Sequence, residues 1–247
     1  MTIDEIAREV GVGTAHMVAS RLVRKGVLDR IGRGLYLVRP FRALGRGWTG
    51  SSLASVARLL EGVPYYVTGL AALTVHHLTE QAYASVVDVF VTGHRRARRL
   101  GNATVVFHVA PAEAFAHGLI DVEVEGIPLR VADPERTLLD ALDYPHMTGG
   151  LPAALVVVAN ALPRVDRAKL VTDALTGHRR VGTLQRLGLL LERAGEPVSI
   201  WLPLADRVAP NRGPLSLVPG APRRGKVHPV WHVVENDAVD ATPSARH

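Results

Sequence analysis

Glycines cut the first forty residues into pieces too short for anything but small helices and a hairpin. Gly11-Val12-Gly13, Gly26 and the pair Gly32/Gly34 stand at the joints, where tight or left-handed turns favour a residue without a Cβ. Before the first joint, Thr2 to Glu9 reads as a helix. Thr2 is its N-cap, Glu5 closes a capping box three residues on, and Ile3, Ile6, Ala7 and Val10 form an apolar stripe. Thr14 is placed to cap a second helix that runs to Lys25 and is stopped by Gly26. On this helix Val18, Ala19 and Leu22 share one face, while His16, Met17, Ser20, Arg21 and Arg24 fall largely on the other. VLDRI-GRG-LYLV then reads as a hairpin with Arg33 projecting from its tip.

Helix, glycine turn, basic helix and arginine-tipped hairpin is the plan of a winged helix-turn-helix. Its second helix fits the major groove of DNA, and its wing can reach phosphate or the minor groove. Winged helices also dock proteins without any DNA ligand, so charge has to decide. The chain holds 29 Lys plus Arg against 23 Asp plus Glu, a net +6, and its only lysines are Lys25, Lys169 and Lys226. Genomic base composition is a bland source of arginine, so distribution says more than number. Residues 1 to 47 carry nine basic side chains (Arg8, Arg21, Arg24, Lys25, Arg30, Arg33, Arg39, Arg42, Arg46) and four acids (Asp4, Glu5, Glu9, Asp29), which is +5 of the +6. A positive field so concentrated favours a polyanion. The expected contacts are Arg21, Arg24, Arg30 and Arg33 on phosphates, with His16, Met17 and Ser20 approaching base edges, and Thr14 and Lys25 belong to the same DNA-binding face.

Composition removes several classes. With no cysteine there is no disulfide, thiolate catalysis or cysteine-bound zinc. The longest apolar run, AALVVVANAL from Ala153, is far short of the ~18 residues a membrane span needs. MTIDEIAREV carries acids and no signal-peptide core, so the expected location is cytoplasmic.

Further along, Pro40 to Gly50 reads as a basic, glycine-rich linker, followed by helices at Ser51 to Glu61 and Thr68 to Leu78. Strands are expected at SVVDVFVT, ATVVFHVA and a hairpin DVEVEGIPLRVA around Gly126. Asp133-Pro134 opens the helix PERTLLDALDY, and helical runs follow at 150 to 161, 166 to 176 and 180 to 194. The part from Pro197 is rich in proline and basic residues, with VWHVVEN returning as a strand and 237 to 247 a disordered tail. The domains are thus 1–47 and 48–236, in an α+β fold.

Candidate chemistry is thin. VTGLAALTVHHLTEQAYASVVDVFVT has the layout of a nucleotidyltransferase entrance, in which two carboxylates one residue apart hold divalent ions. Here Asp88 is present and Phe90 takes the second place, so catalysis by that route is not expected. His76, His77 and Glu80 lie at near-helical spacing, but adjacent histidines point about 100° apart, and no HExxH follows. Glu123 and Glu125 sit on a strand with no lysine near, against a restriction-type nuclease, and there is no nucleophile elbow or phosphate loop. No catalytic residue, metal or cofactor is assigned. The pentapeptide TGHRR occurs at 92 to 96 and 176 to 180. Its first copy opens a second basic patch, Arg95, Arg96, Arg98 and Arg99, which reads as phosphate patch, docking surface for an acidic partner, or solvated loop.

Taken together, RLVRKGVLDRIGRGLYLV, YYVTGLAALTVHHLT, VFVTGHRRAR, VADPERTLLDAL, TLQRLGLLLE and PRRGKVHPVWHVVEN, spread over residues 2 to 236, resemble the AbiEi family. Its members are antitoxins and transcriptional regulators of bacterial AbiE-type toxin–antitoxin operons. The resemblance implies a winged helix binding inverted repeats in the operon's own promoter. It also implies a larger mixed α/β C-terminal antitoxin domain, no cofactor, no enzymatic activity, and a nucleotidyltransferase-type toxin as partner. Direct contact with the toxin and indirect opposition are both compatible with it. Family winged helices begin with an additional helix, whereas this sequence starts at Thr2. Either the start lies upstream, or residues from the linker onward fill the helix's place, or the wing is loosely held. On the reading face, Ala15, His16, Met17 and Ser20 stand where basic residues are common. The alternatives are a toxin-neutralising interaction module that has lost DNA recognition, and a divergent nucleotidyltransferase.

Overall fold

The computed structural model describes residues 1–39, 52–80, 85–100, 103–177, 179–211, 213–222 and 224–236, so the expected linker from Pro40 to Gly50 and the tail from Asp237 lie outside the described residues. The fold is mixed α+β. It divides into two compact units, Met1–Val67 with Tyr83–Val131, and Thr68–Ala82 with Ala132–His247.

The first unit opens with α1 (Ile3–Val10), α2 (Val12–Arg24), and the antiparallel pair β1 (Leu28–Gly32) and β2 (Leu35–Val38). The capping box forms as the sequence predicts: Glu5 N–H donates to Thr2 Oγ1 at 3.2 Å and Thr2 N–H to Glu5 Oε2 at 2.7 Å. Gly11, at φ +85°, turns the chain sharply, and α2 begins at Val12 rather than Thr14. Thr14 therefore sits inside the first turn, where its hydroxyl donates back to the carbonyls of Val10 and Gly11 and caps nothing. At the other end Gly26, at φ +70°, stops α2. Its N–H donates to Val23 O at 3.0 Å and that of Val27 to Leu22 O at 2.9 Å, the paired bonds of a Schellman cap.

α3 (Ser52–Leu59) follows, then a sheet of β3 (Tyr65–Thr68), β4 (Val86–Val91), β5 (Arg98–Leu100), β6 (Ala103–Val109), β7 (Leu119–Val124) and β8 (Ile127–Ala132) in the order β5-β6-β4-β3-β8-β7. β4 runs parallel to β6, β3 is parallel to β8, and β5 is antiparallel to β6. Central β4 is buried from Val87 to Val91, which is why it reads as an apolar run broken only by Asp88. The β7–β8 turn places Glu125 (φ +53°) and Gly126 (φ +75°) in the left-handed region, as a tight two-residue hairpin requires.

The second unit is helical: α4 (Gly69–Val75), α5 (Pro134–Asp143), α6 (Leu151–Ala161), α7 (Arg167–Thr176), α8 (Val181–Arg193) and α9 (Val198–Val208). Two short parallel strands, β9 (Leu215–Ser216) and β10 (Val233–Val234), complete it. Its core is built mainly of leucines from α5 to α8 around Trp231, which is fully buried. No helix of the described residues is long and apolar enough to cross a membrane.

Candidate nucleic-acid interface

α1, α2 and the hairpin close over a small core of Ile6, Ala15, Ala19, Leu28 and Tyr36, with Ile3, Ala7, Val18, Leu22 and Val23 packed against it. Ala15, expected on the reading face, is 1% exposed and belongs to this core. The packing leaves the opposite side of α2 in water. Thr14, His16, Met17, Ser20, Arg21, Arg24 and Lys25 are all exposed, as are Arg30 and Arg33 on the hairpin. No acid lies on α2, so its solvent face is neutral in the first half and cationic in the second.

Hydrogen bonds and close packing hold the hairpin. The start of the chain pairs with β2: Met1 amine donates to Tyr36 O at 3.0 Å, Tyr36 N–H to Met1 O at 2.8 Å, and Ile3 N–H to Gly34 O at 2.7 Å. Gly34, at φ +68°, lies against Ile3, whose Cγ2 would be 3.1 Å from a Cβ there. Arg39 then grips Asp29 with two parallel bonds, Nε to Oδ2 at 3.0 Å and Nη2 to Oδ1 at 2.8 Å. This hydrogen bonding holds the Arg39 guanidinium above its ordinary pKa. Arg30 turns toward the tip, its Nε donating to Gly32 O at 3.3 Å.

α3 packs on both hairpin strands, with Leu59 Cδ1 3.8 Å from where a Gly32 side chain would begin. It also packs on β5, where Ser52 Oγ donates to Leu100 O at 3.1 Å. The second basic patch lies on that edge. Arg95, Arg96, Arg98 and Arg99 are all exposed, and Arg95, Arg96, Ala97 and Arg98 with Leu59 and Phe107 line a shallow depression of about 330 Å³. One helix thus packs against both the arginine-tipped hairpin and the arginine-rich sheet edge.

Of the remaining candidate groups, His77, Glu80, Glu123 and Glu125 are exposed, while Asp88 and His76 are held by neighbours. Asp88 is buried and pairs with His108, Nε2 to Oδ1 at 2.8 Å, while Phe90 stacks on Tyr66 with ring centroids 5.1 Å apart. His76 Nε2 meets Ala132 O at 2.7 Å. Among the described residues no group of three His, Cys, Asp or Glu is placed to hold a metal.

The motif VADPERTLLDALDY builds the second unit from within. Asp133 caps α5 by accepting from Arg136 N–H at 2.8 Å, and Lys169 Nζ reaches Asp133, Glu135 and Asp173 at 2.8, 3.0 and 2.7 Å. Arg179, from the second TGHRR, bridges Asp140 and Asp143 at 2.7 and 2.8 Å, and Thr68 Oγ1 donates to Asp140 at 2.9 Å. Burial opposes the charge on Arg179, but the two carboxylates outweigh it and hold the guanidinium above its ordinary pKa. Arg186 shows the opposite case: burial lowers its pKa, and its guanidinium donates to the carbonyls of Ser216 and Leu217. Apart from Lys169–Asp173, at helical i,i+4 spacing, the sequence carried no signal for these ion pairs, because their partners are ~30 to 40 residues apart.

Comparison with known proteins reaches both levels. The chain is similar in fold to the crystal structure of the RV2827C protein from Mycobacterium tuberculosis, with a TM-score of 0.69 at 16% identity over 94% of this chain and 85% of that one. At that identity the likeness concerns the fold. No curated protein matches the chain. The stretch from Thr2 to Arg39, which spans α1, α2 and the hairpin, matches the family model described as transcriptional regulator, AbiEi antitoxin.

Proposed function

We propose that this chain is a cytoplasmic antitoxin that binds DNA at its own promoter, represses the operon and counteracts a nucleotidyltransferase-type toxin encoded beside it. The observation that carries the reading is a coincidence of position. The residues matching the AbiEi regulator model are those that form the acid-free α2 and the arginine-tipped hairpin. In this reading α1, α2 and the hairpin act as a winged helix-turn-helix. The neutral first half of α2 enters the major groove, while Arg21, Arg24, Lys25, Arg30 and Arg33 neutralise flanking phosphates. Residues 1–47 form the DNA-binding module, α3 takes the seat of the helix that precedes it in relatives, and residues 48–236 do the antitoxin work. Arg95, Arg96, Arg98 and Arg99 extend the positive surface along the sheet edge. Inverted repeats in the promoter would take two copies. Repression and neutralisation need no cofactor and no catalytic step.

A retardation assay on the fragment upstream of the operon, with the full chain and Arg33→Ala, tests the proposal. A shift at low salt that the variant weakens is expected. No shift, or one the variant leaves unchanged, would count against it. A second reading, a toxin-docking module without DNA recognition, draws on the large apolar side chains exposed on α2. It predicts that the full chain neutralises the toxin in cells with no operator repression.

A further inference from the structure

Met17 occupies the middle of the exposed face of α2. Gly13 lies one turn before it, Ser20 and Arg21 one turn after and Arg24 two turns after, all exposed, while Ala15 and Ala19 close the core on the opposite side. The other central positions are small or cationic. Met17 is 66% exposed and Val12, at the first residue of the same helix, 83%; these are the two most exposed large apolar side chains among the described residues. A Cβ at Gly13 would meet nothing within 4 Å, so the surface beside Met17 is a flat, open notch.

Toward the C-terminal end of the helix this apolar centre has a cationic rim, with Arg21, Arg24 and Lys25 exposed, and Arg33 is exposed on the hairpin. Such a rim complements a polyanion, and the occupant must offer an apolar group at its centre. In the major groove the donor and acceptor edges are polar, and the apolar feature of the floor is the thymine 5-methyl group. A thioether is polarisable, flexible and without a strong hydrogen-bonding group, so it discriminates by that methyl and not by donor or acceptor pattern.

We propose that Met17 is a specificity-determining residue that packs on the 5-methyl group of a thymine, the notch at Gly13 letting the base edge approach the helix. This rests on the DNA-binding reading above and adds the identity of a base. The test is selection by the full-length chain from a random-sequence duplex library, followed by replacement of each fixed thymine with deoxyuridine. One such position should weaken binding by about four-fold, the worth of one buried methyl group. Met17→Ala should bind thymine and deoxyuridine duplexes alike, while Met17→Leu keeps the preference and controls for folding. The inference is overturned if no thymine is fixed, if deoxyuridine is neutral to the parent protein, or if Met17→Ala still distinguishes the two. It also falls if Met17→Ala changes the sedimentation of the protein and leaves the selected sequences untouched, because Met17 is then a protein contact. Enrichment of no duplex even at low salt overturns it together with the DNA-binding reading; all other failures leave that reading standing.

Discussion

A side chain added at Gly188 would begin 2.1 Å from the ring of Trp231, so helix and indole fit only because α8 has no Cβ there. Trp231 has little room to move: it is fully buried, its Nε1 donates to Glu192 at 2.5 Å, and its ring meets Trp201 edge-on at 5.7 Å. Replacing a mid-helix glycine by alanine ordinarily stabilises by about 1 kcal/mol, but overpacking outweighs that here. Gly188→Ala should destabilise by about 1–3 kcal/mol. A lower urea midpoint with an unchanged slope would show it; a raised midpoint would mean that the indole can step aside.

Arg179 should matter far more than its twin in the first TGHRR. Asp140 and Asp143 are 2% and 7% exposed, and Arg179→Met leaves both carboxylates buried without their shared cation. The expected loss is about 3–5 kcal/mol. Arg95→Met, on the exposed edge, should stay within about 0.5 kcal/mol of the parent. Equal losses in urea unfolding would sink the distinction.

Lys169 gives a pH dependence with a definite sign. Burial works against its charge, but Asp133, Asp173 and Glu135 outweigh it and raise its pKa above the ordinary 10.5. A raised folded-state value means a contribution that is fully present below the unfolded lysine value and is lost as pH climbs through the folded one. The stability gap between the parent and Lys169→Met should therefore be constant through neutral pH and shrink only in strong alkali. A gap that closes below pH ~9 would contradict this assignment.

DNA affinity should carry the salt signature of the exposed cations. Five phosphate contacts, from Arg21, Arg24, Lys25, Arg30 and Arg33, correspond to a slope of log affinity against log salt of about −4.5. Arg33→Ala should make it shallower by about one. Arg39→Ala should leave the slope alone, because Arg39 is held by Asp29, and should lower hairpin stability instead. Fluorescence anisotropy across a salt series separates the two effects.

The first forty residues were legible because their signals are local: Thr2 with Glu5, Gly26 after the last helical turn, and Gly32 and Gly34 around Arg33. Thr14 misled because a residue with capping chemistry also tolerates the first helical turn, and the positive φ of Gly11 had already started the helix. β3 escaped notice because YYVT is four residues long and pairs with β8, some sixty residues on. α9 was hidden by Pro203, which reads as a break although the helix runs through it from Val198 to Val208. Phe90 in the second acid place tells the sequence reader that Asp88 holds no metal pair, but the pairing of Asp88 with His108 on the neighbouring strand follows only from the register of β4 on β6. Of the candidate interface, the exposed residues of α2 and the hairpin were legible from helical periodicity and turn chemistry. The seating of hairpin and β5 on α3 was not, because it joins segments that share no local pattern.

The two TGHRR pentapeptides should age differently across descendants of this gene. The first can drift through any substitution that keeps a positive charge in solvent. The second is tied to Asp140 and Asp143, the latter also held by Thr183, and these would have to change in concert with it. Identical letters thus face opposite selective pressure, and a substitution tolerated at Arg96 says nothing of what Arg180, its counterpart over the ring of Tyr144, will bear.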